Sequence, residues 1–255
     1  MPDPDMLILL SNDDGVDAPG LRALEEAVEG LGELWTVAPA TEQSARSHAL
    51  TMHEPLRLEQ LGERRFSVSG TPADCVYLAT HHLLPRRPAL VLSGINRGSN
   101  LSNDVVYSGT VAAAREAASV EIPAIAASLW VRGVSPNWDT ARRVVRHVAE
   151  RVIREGLPSR VLLNVNIPDV DAAGLRGICV APLGRRYYHF SVAEKIDPRG
   201  RKYYWIGGDH DRFEDLPDTD GPLCEQGYAV VTPLQMDLTA HDMLPALHHW
   251  GLDVP

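Results

Sequence analysis

The chain of 255 residues has three cysteines, Cys75, Cys179 and Cys224. They are odd in number and widely spaced, with no Cys-x-x-Cys pair. That excludes a disulfide framework and points to reduced, mostly buried thiols. No apolar run approaches the roughly 18 residues a membrane-spanning helix needs. Positive charge is also short: 24 Lys and Arg stand against 34 Asp and Glu, a net charge of −10. The basic clusters are only pairs: Arg64-Arg65, Arg86-Arg87, Arg142-Arg143 and Arg185-Arg186. No stripe tracks a phosphate backbone, so binding of duplex nucleic acid is not expected. The start, Met1-Pro-Asp-Pro-Asp5, is acidic and meets the short apolar run Met6–Leu10, which does not read as a secretory leader. The expected location is the cytoplasm, away from membranes.

Several catalytic signatures are missing too. There is no Gly-x-x-x-x-Gly-Lys-[Ser/Thr], so no P-loop. No Gly-x-Gly-x-x-Gly follows the first strand, which weakens a dinucleotide dehydrogenase. No Gly-x-Ser-x-Gly elbow marks an α/β-hydrolase. No His-Glu-x-x-His exists, and the ten histidines show no zinc spacing.

What remains is an ordinary globular composition, 44% hydrophobic and 23% charged. A chain this long buries roughly 70–75% of its unfolded surface without staples. Met6–Ser11 reads as a strand buried on both faces. Pro19-Gly20 opens a helix whose apolar side is Leu21, Leu24, Ala27, Val28 and Leu31. Leu34–Ala38 is a second strand, and this order is a βαβ unit. Residues 40–50 read as a polar loop, with a weak hairpin near 51–59 and 65–69. Thr71, Pro72 and Asp74 start a helix with good capping chemistry. A buried strand at 89–93, a loop from Gly94 to Asn100, a helix at 108–118, a strand at 123–130, a helix at 138–155 and a strand at 161–167 continue the alternation. From about 168 the chain turns β-rich, with strands near 178–182, 203–206 and 228–233, a loop at 207–222 and a short helix at 241–250. The fold expected is α/β, a Rossmann-like, doubly wound, mostly parallel sheet. Residues 1–167 form the core and 168–255 a β-rich extension, within one domain spanning 1–255.

In such sheets ligands bind beyond the carboxyl ends of the strands. Three polar loops leave those ends: Asn12-Asp13-Asp14-Gly15, the loop with Ser44 and Ser47, and Gly94-Ile95-Asn96. Asp13 and Asp14 are adjacent carboxylates, and a hard divalent cation would relieve their repulsion. The plainer reading is turn chemistry, for which Asn-Asp-Asp-Gly is well suited. Ser44 and Asn96 are neutral oxygen donors that matter only if the loops converge. Ser108, Gly109 and Thr110 open a helix, whose free N–H groups suit an anion; simple capping by Ser108 is the alternative. Gly94, Gly98 and Gly109 would allow close backbone approach to that anion.

These stretches resemble the SurE family of 5′/3′-nucleotidases. The resemblance is carried by Leu10-Ser-Asn-Asp-Asp-Gly-Val-Asp-Ala-Pro-Gly20, Gly70-Thr-Pro-Ala-Asp-Cys-Val-Tyr77, Ser93-Gly-Ile-Asn-Arg-Gly-Ser-Asn100 and Asp104–Ala114. It continues in Asn164–Pro168, Asp197–Gly200, Tyr204–Gly207, Asp218–Asp220 and Thr232–Thr239, and so covers nearly the whole chain. It implies a metal-dependent phosphomonoesterase acting on nucleoside monophosphates. The metal ligands would be Asp13, Asp14, Ser44 and Asn96, holding one divalent ion per subunit, Mg²⁺ or Mn²⁺, with Ca²⁺ as another occupant. Asp13 and Asp14 would be catalytic. Asn12, Ser44, Ser47, Gly94, Asn96, Ser108, Gly109 and Thr110 would hold substrate and its phosphate. The resemblance also implies a homodimer or homotetramer built through the C-terminal extension, with residues 185–225 carrying contacts and part of the substrate rim. The sequence departs from the family pattern at two positions. Ala45 stands where the family commonly has Gly after the metal-binding Ser, and Ala117 follows Glu116 where Gly is frequent.

The residues leave the route open. A water could attack in line, or Asp13 or Asp14 could serve as base or nucleophile. Ser47 and His48 are the candidates for a general acid. A nucleotide- or metal-binding stress protein with incidental catalysis is the alternative of a different class. An aspartyl-nucleophile phosphatase is disfavoured, because its first motif spaces two Asp by one residue and these are adjacent.

Overall fold

The computed structural model describes residues 6–133, 135–188, 191–207 and 211–252. The acidic start read against a leader lies outside them. The strands are β1 (Leu7–Ser11), β2 (Glu33–Pro39), β3 (Leu58–Gly62), β4 (Arg65–Val68), β5 (Leu90–Arg97), β6 (Ala124–Trp130), β7 (Val161–Pro168), β8 (Gly177–Val180), β9 (Arg186–Tyr188), β10 (Ser191–Ile196), β11 (Lys202–Gly207), β12 (Asp211–Phe213) and β13 (Tyr228–Gln235). The helices are α1 (Pro19–Val28), α2 (Pro72–Leu78), α3 (Gly109–Ser119), α4 (Trp138–Glu155), α5 (Asp220–Glu225) and α6 (Leu244–His248).

Nine strands form one sheet in the order β3-β4-β2-β1-β5-β6-β7-β13-β8. From β4 to β7 every pairing is parallel. The chain first winds outward from β1 to β2 and β4, then restarts at β5 on the other side of β1. The reversal leaves a crevice between the ends of β1 and β5, where such sheets bind ligands.

Side-chain alternation explains why β1 is wholly buried. Ile8 and Leu10 pack into the core layer with α1 and α4, and Leu9 into the opposite layer with α2 and α3. Leu90 and Leu92 of β5 join the first layer and Val91 the second. Burying each such side chain contributes roughly 2 kcal/mol. The helices read as expected. Leu21, Leu24, Ala27 and Val28 are the buried face of α1, and α4 spans the predicted 138–155. Thr71 caps α2 in a reciprocal box: its hydroxyl accepts from the Asp74 N–H, and the Asp74 carboxylate accepts from the Thr71 N–H. No described helix is long and apolar enough to cross a membrane.

Four expectations change. The loop assigned to Gly94–Asn100 is strand as far as Arg97, because β5 passes through a register shift between Ser93 and Asn96. The first arm of the early hairpin runs 58–62, leaving 51–57 irregular. Within 207–222, β12 and α5 are regular despite the Gly, Asp and Pro content. The expected extension is not all appendage. β13 pairs with β7 and carries β8, so both belong to the main sheet. A third small core of Leu101, Ala181, Cys224 and Val230 fastens α5 beneath it. Among the described residues, only the pairs β10–β11 and β9–β12 form separate two-stranded sheets.

Candidate active site

Both flanks of the crevice carry residues picked out in the sequence. β1 delivers Asn12, Asp13 and Asp14, and β5 delivers Asn96 and Arg97. The loop after β2 is drawn in by two backbone bonds: Gln43 N–H to Asp13 O at 2.7 Å, and Val16 N–H to Pro39 O at 2.8 Å. From the opposite face α3 aims its N-terminus at Asp13. The Thr110 hydroxyl donates to Asp13 Oδ1. Gly109 lies so close that a Cβ there would stand 2.8 Å from the Asp13 Cβ and 2.9 Å from its Oδ2. A glycine is required at 109 for space.

Asp13 is 5% exposed. Burial pushes its carboxyl up to about 6, the Thr110 hydrogen bond opposes that rise, and the Asp14 charge adds to it. Asp14 is also raised by burial. It is eased by the Arg97 N–H, 3.3 Å from its Oδ2, and pressed further by Glu42. The pair is thus a site of negative charge that the Arg97 side chain offsets only in part, at Asp14. The helix end helps, since its polarised N–H groups favour an anion, yet the anion it faces is Asp13 itself.

The other predicted residues divide. Asn96 donates its Nδ2 to Gly98 O at 2.9 Å, which leaves Oδ1 as an acceptor. Ser108 caps α3 by accepting from the Val111 N–H at 3.1 Å. Asn12 is buried, and its Nδ2 donates to Gly15 O at 2.8 Å, which braces the turn and leaves Oδ1 without a partner. Gly94 is buried within β5 at φ +129°, where a Cβ would meet Ala127 O at 2.2 Å. Its glycine serves strand packing, not approach to a phosphate. Ser44 is exposed and donates its hydroxyl hydrogen to Glu42 Oε1 at 2.8 Å, which leaves the oxygen's lone pairs open. Ser47 donates to Val106 O at 2.7 Å and so pins the loop to the turn before α3. His48, beside it, pairs with Glu116 of α3 at 2.8 Å. Both proposed acids are therefore anchors of this loop.

Ala45 adopts φ +58° and Ser47 φ +55°. This is the left-handed region, which costs a residue with a Cβ roughly 1–2 kcal/mol. The departure from the family glycine at 45 thus falls where glycine is favoured. The second departure is benign, because α3 continues to Ser119 and Ala117 is a buried interior residue. Two contributors escaped the sequence reading. Glu42 stands two residues before Ser44, and Arg97 directly follows Asn96; both positions adjoin residues already singled out.

The donor chemistry fits a hard divalent cation. Two carboxylates sit side by side, both raised by burial despite the Arg97 charge beside Asp14, and the buried Asn12 Oδ1 and Ser93 Oγ lack hydrogen-bond partners. Oxygen-rich, nitrogen-poor surroundings suit Mg²⁺ or Mn²⁺. Among the described residues no three His, Cys, Asp or Glu side chains gather at one point. A cation here would rest on Asp13 and Asp14 with neutral oxygens completing the set.

A family model described as Survival protein SurE matches residues 8–190. A 5′-nucleotidase SurE from Geotalea uraniireducens (strain Rf4) is 49% identical over 247 residues, covering 97% of this chain and 100% of that protein. A 5′-nucleotidase SurE from Myxococcus xanthus (strain DK1622) is 51% identical over 250 residues, covering 96% and 94%. The crystal structure of the SurE protein from Aquifex aeolicus is 39% identical, with a TM-score of 0.85 over 95% of this chain and 98% of that one.

Proposed function

The chain belongs to the SurE family, and from that premise we propose that it is a 5′-nucleotidase, a metal-dependent phosphomonoesterase releasing phosphate from nucleoside monophosphates. The observation that carries this is the buried Asp13–Asp14 pair at the sheet's reversal point, with the N-terminus of α3 behind it. Relatives named as nucleotidases favour the enzyme over the stress-binding alternative.

Asp13, Asp14 and Asn96 would hold one divalent ion per subunit, Mg²⁺ or Mn²⁺, and Ca²⁺ is a further occupant by the same oxygen chemistry. Ser44 would join them through its oxygen lone pairs while its hydroxyl hydrogen stays on Glu42. The ion supplies Lewis acidity toward a phosphoryl oxygen. Thr110 and Gly109 hold Asp13 in place, so its carboxylate does not swing when substrate binds. The Arg97 N–H does the same for Asp14. Ser47 and His48 keep the Ser44 loop seated against α3. Fixed donors of this kind lower the reorganisation needed in the transition state.

The assembly reading rests on the hairpin β10–β11. Val192, Trp205 and Ile206 are 61%, 64% and 79% exposed. Apolar surface of that extent on a hairpin paired only with itself suits a second copy of the chain. A dimer or tetramer through this arm follows. Cys75, Cys179 and Cys224 are all free thiols, which accords with a reducing cytoplasm.

The test is phosphate release from 5′- and 3′-nucleoside monophosphates after chelation, with Mg²⁺, Mn²⁺ or Ca²⁺ restored singly. The expected result is release from 5′ substrates only with a restored ion. Absence of release with every ion and substrate contradicts the proposal.

A further inference from the structure

A cavity of about 550 Å³ opens beyond the carboxyl end of β6. That volume lies within the range of small-molecule sites, roughly 300–1,000 Å³. Two of its walls are aromatic. Trp130, the last residue of β6, and Phe213 meet edge to face, with ring centroids 5.7 Å apart and planes at 90°. Each ring also carries a guanidinium. Arg132 lies 4.0 Å from the Trp130 centroid and Arg186 5.4 Å from that of Phe213.

The polar lining argues for what the cavity takes. Arg132, Arg186 and Arg212 are matched by Glu214, Asp215 and Glu225, so the formal charges cancel. Arg132 is paired with Glu225 at 2.9 Å, and Arg186 with Asp104 at 2.7 Å. A second phosphate gains little from cations so matched. A neutral, planar heterocycle gains on every wall. Its faces stack on rings and guanidiniums, its amino groups donate to carboxylates, and its carbonyls and ring nitrogens accept from arginine.

The cavity is also tied to the candidate active site. Asn96 lies beside Ser128 and Arg97 beside Leu129 in the β5–β6 register. The Gly98 N–H donates to Leu129 O at 2.9 Å, one residue before Trp130. Arg186 is fastened to the following segment: its N–H donates to Asn103 Oδ1 at 2.7 Å and its side chain to Asp104. Ser108, the cap of α3, donates its N–H to Asp104 O at 3.2 Å. One continuous stretch, 96–108, therefore joins Asn96 and the α3 terminus to the aromatic cavity.

We propose that this cavity receives the base of the nucleoside monophosphate, with Trp130 and Arg132 as specificity-determining contacts. The inference rests on the nucleotidase reading, and its test separates the two. Wild type, Trp130→Leu and Arg132→Ala are compared, each with Mn²⁺, on AMP and on glycerol phosphate, which has no base. For Trp130→Leu the KM for AMP is expected to rise about tenfold, the scale of one lost base stack. Its kcat, and all kinetics on glycerol phosphate, are expected to stay within about twofold. Arg132→Ala, on an exposed side chain, follows the same pattern with a smaller rise, about threefold. It decides the matter if Trp130→Leu does not fold. Adenosine, lacking phosphate, is expected to inhibit glycerol phosphate hydrolysis by wild type and to inhibit the variants more weakly. Unchanged AMP kinetics, or equal losses on both substrates, overturn the cavity assignment. A wild type inert on both substrates overturns the phosphatase reading instead. Equilibrium binding of adenosine, about tenfold weaker in Trp130→Leu and about threefold weaker in Arg132→Ala than in wild type, then still decides the cavity, and equal binding by all three overturns it.

Discussion

The crevice between β1 and β5 and the hairpin β10–β11 are built on opposite economies. In the crevice, charge is buried among oxygen-bearing neighbours. Asp13 is 5% exposed under α3. In the hairpin, apolar groups face solvent, with Ile206 at 79% exposure. A folded chain tolerates either only if something later compensates. A bound cation would compensate the first and a second chain the second. The comparison teaches that unfavourable features mark where this fold expects company.

The strongest way to break the comparison is to remove the charge. Asp13→Asn keeps the shape and an acceptor for the Thr110 hydroxyl. It is expected to lower metal-dependent kcat by about 10³-fold, several kcal/mol of lost Lewis-acid chemistry. Phosphate release kinetics check this. Gly109→Ala leaves the charge but pushes a methyl into Asp13. A displacement of about 1 Å costs on the order of 10²-fold, with KM changed less than kcat in steady-state kinetics.

The same buried charge has a stability signature. In the metal-free protein Asp13 titrates at about 6, against 3.8 ordinarily. Between those values the folded state holds the proton and the unfolded state does not. Metal-free stability is therefore lowest above pH 6 and recovers as pH falls toward 4. At pH 8 metal-free Asp13→Asn is expected to be more stable than wild type by about 2–3 kcal/mol. The gap closes by about pH 4 in urea unfolding curves, because both forms are then neutral. A variant that inactivates and stabilises together sharpens the claim that the carboxylate is kept for its ligand.

At the hairpin, Trp205→Ser with Ile206→Ser is expected to weaken self-association by about tenfold or more, read by light scattering across concentration. Monomer stability changes little, because these side chains lie outside the three cores. The smallest effect belongs to Ala45→Gly. Relief of φ +58° is offset by greater unfolded-chain entropy. The expected change is under about 1 kcal/mol, in favour of the folded state by thermal unfolding.

The frame of the fold was legible because its signals are local. The apolar run of β1, the Thr71 cap and the period of α4 each depend on residues within a few positions. The carboxylates at 13 and 14 were legible for the same reason. Other features depend on distant partners. Gly94 and Asn96 read as loop residues, yet β6 pairing carries β5 through to Arg97. Arg97 bears on Asp14 through its charge and through its backbone N–H, and the second is a group every non-proline residue owns. Ser44 reads as a ligand from its oxygen alone, whereas its bond to Glu42 depends on how the loop folds. Trp130 and Phe213 are 83 positions apart and meet only because β13 completes the sheet and α5 packs under it.

The central claim is that the Asp13–Asp14 pair holds the cation on which hydrolysis depends. The most direct measurement titrates Mn²⁺ into chelated wild type and Asp13→Asn by electron paramagnetic resonance, with AMP hydrolysis followed in the same samples. The expected result is one bound Mn²⁺ per chain in wild type, hydrolysis rising in step with occupancy, and neither in the variant. Hydrolysis that persists in chelator, or equal Mn²⁺ binding by Asp13→Asn, would contradict it.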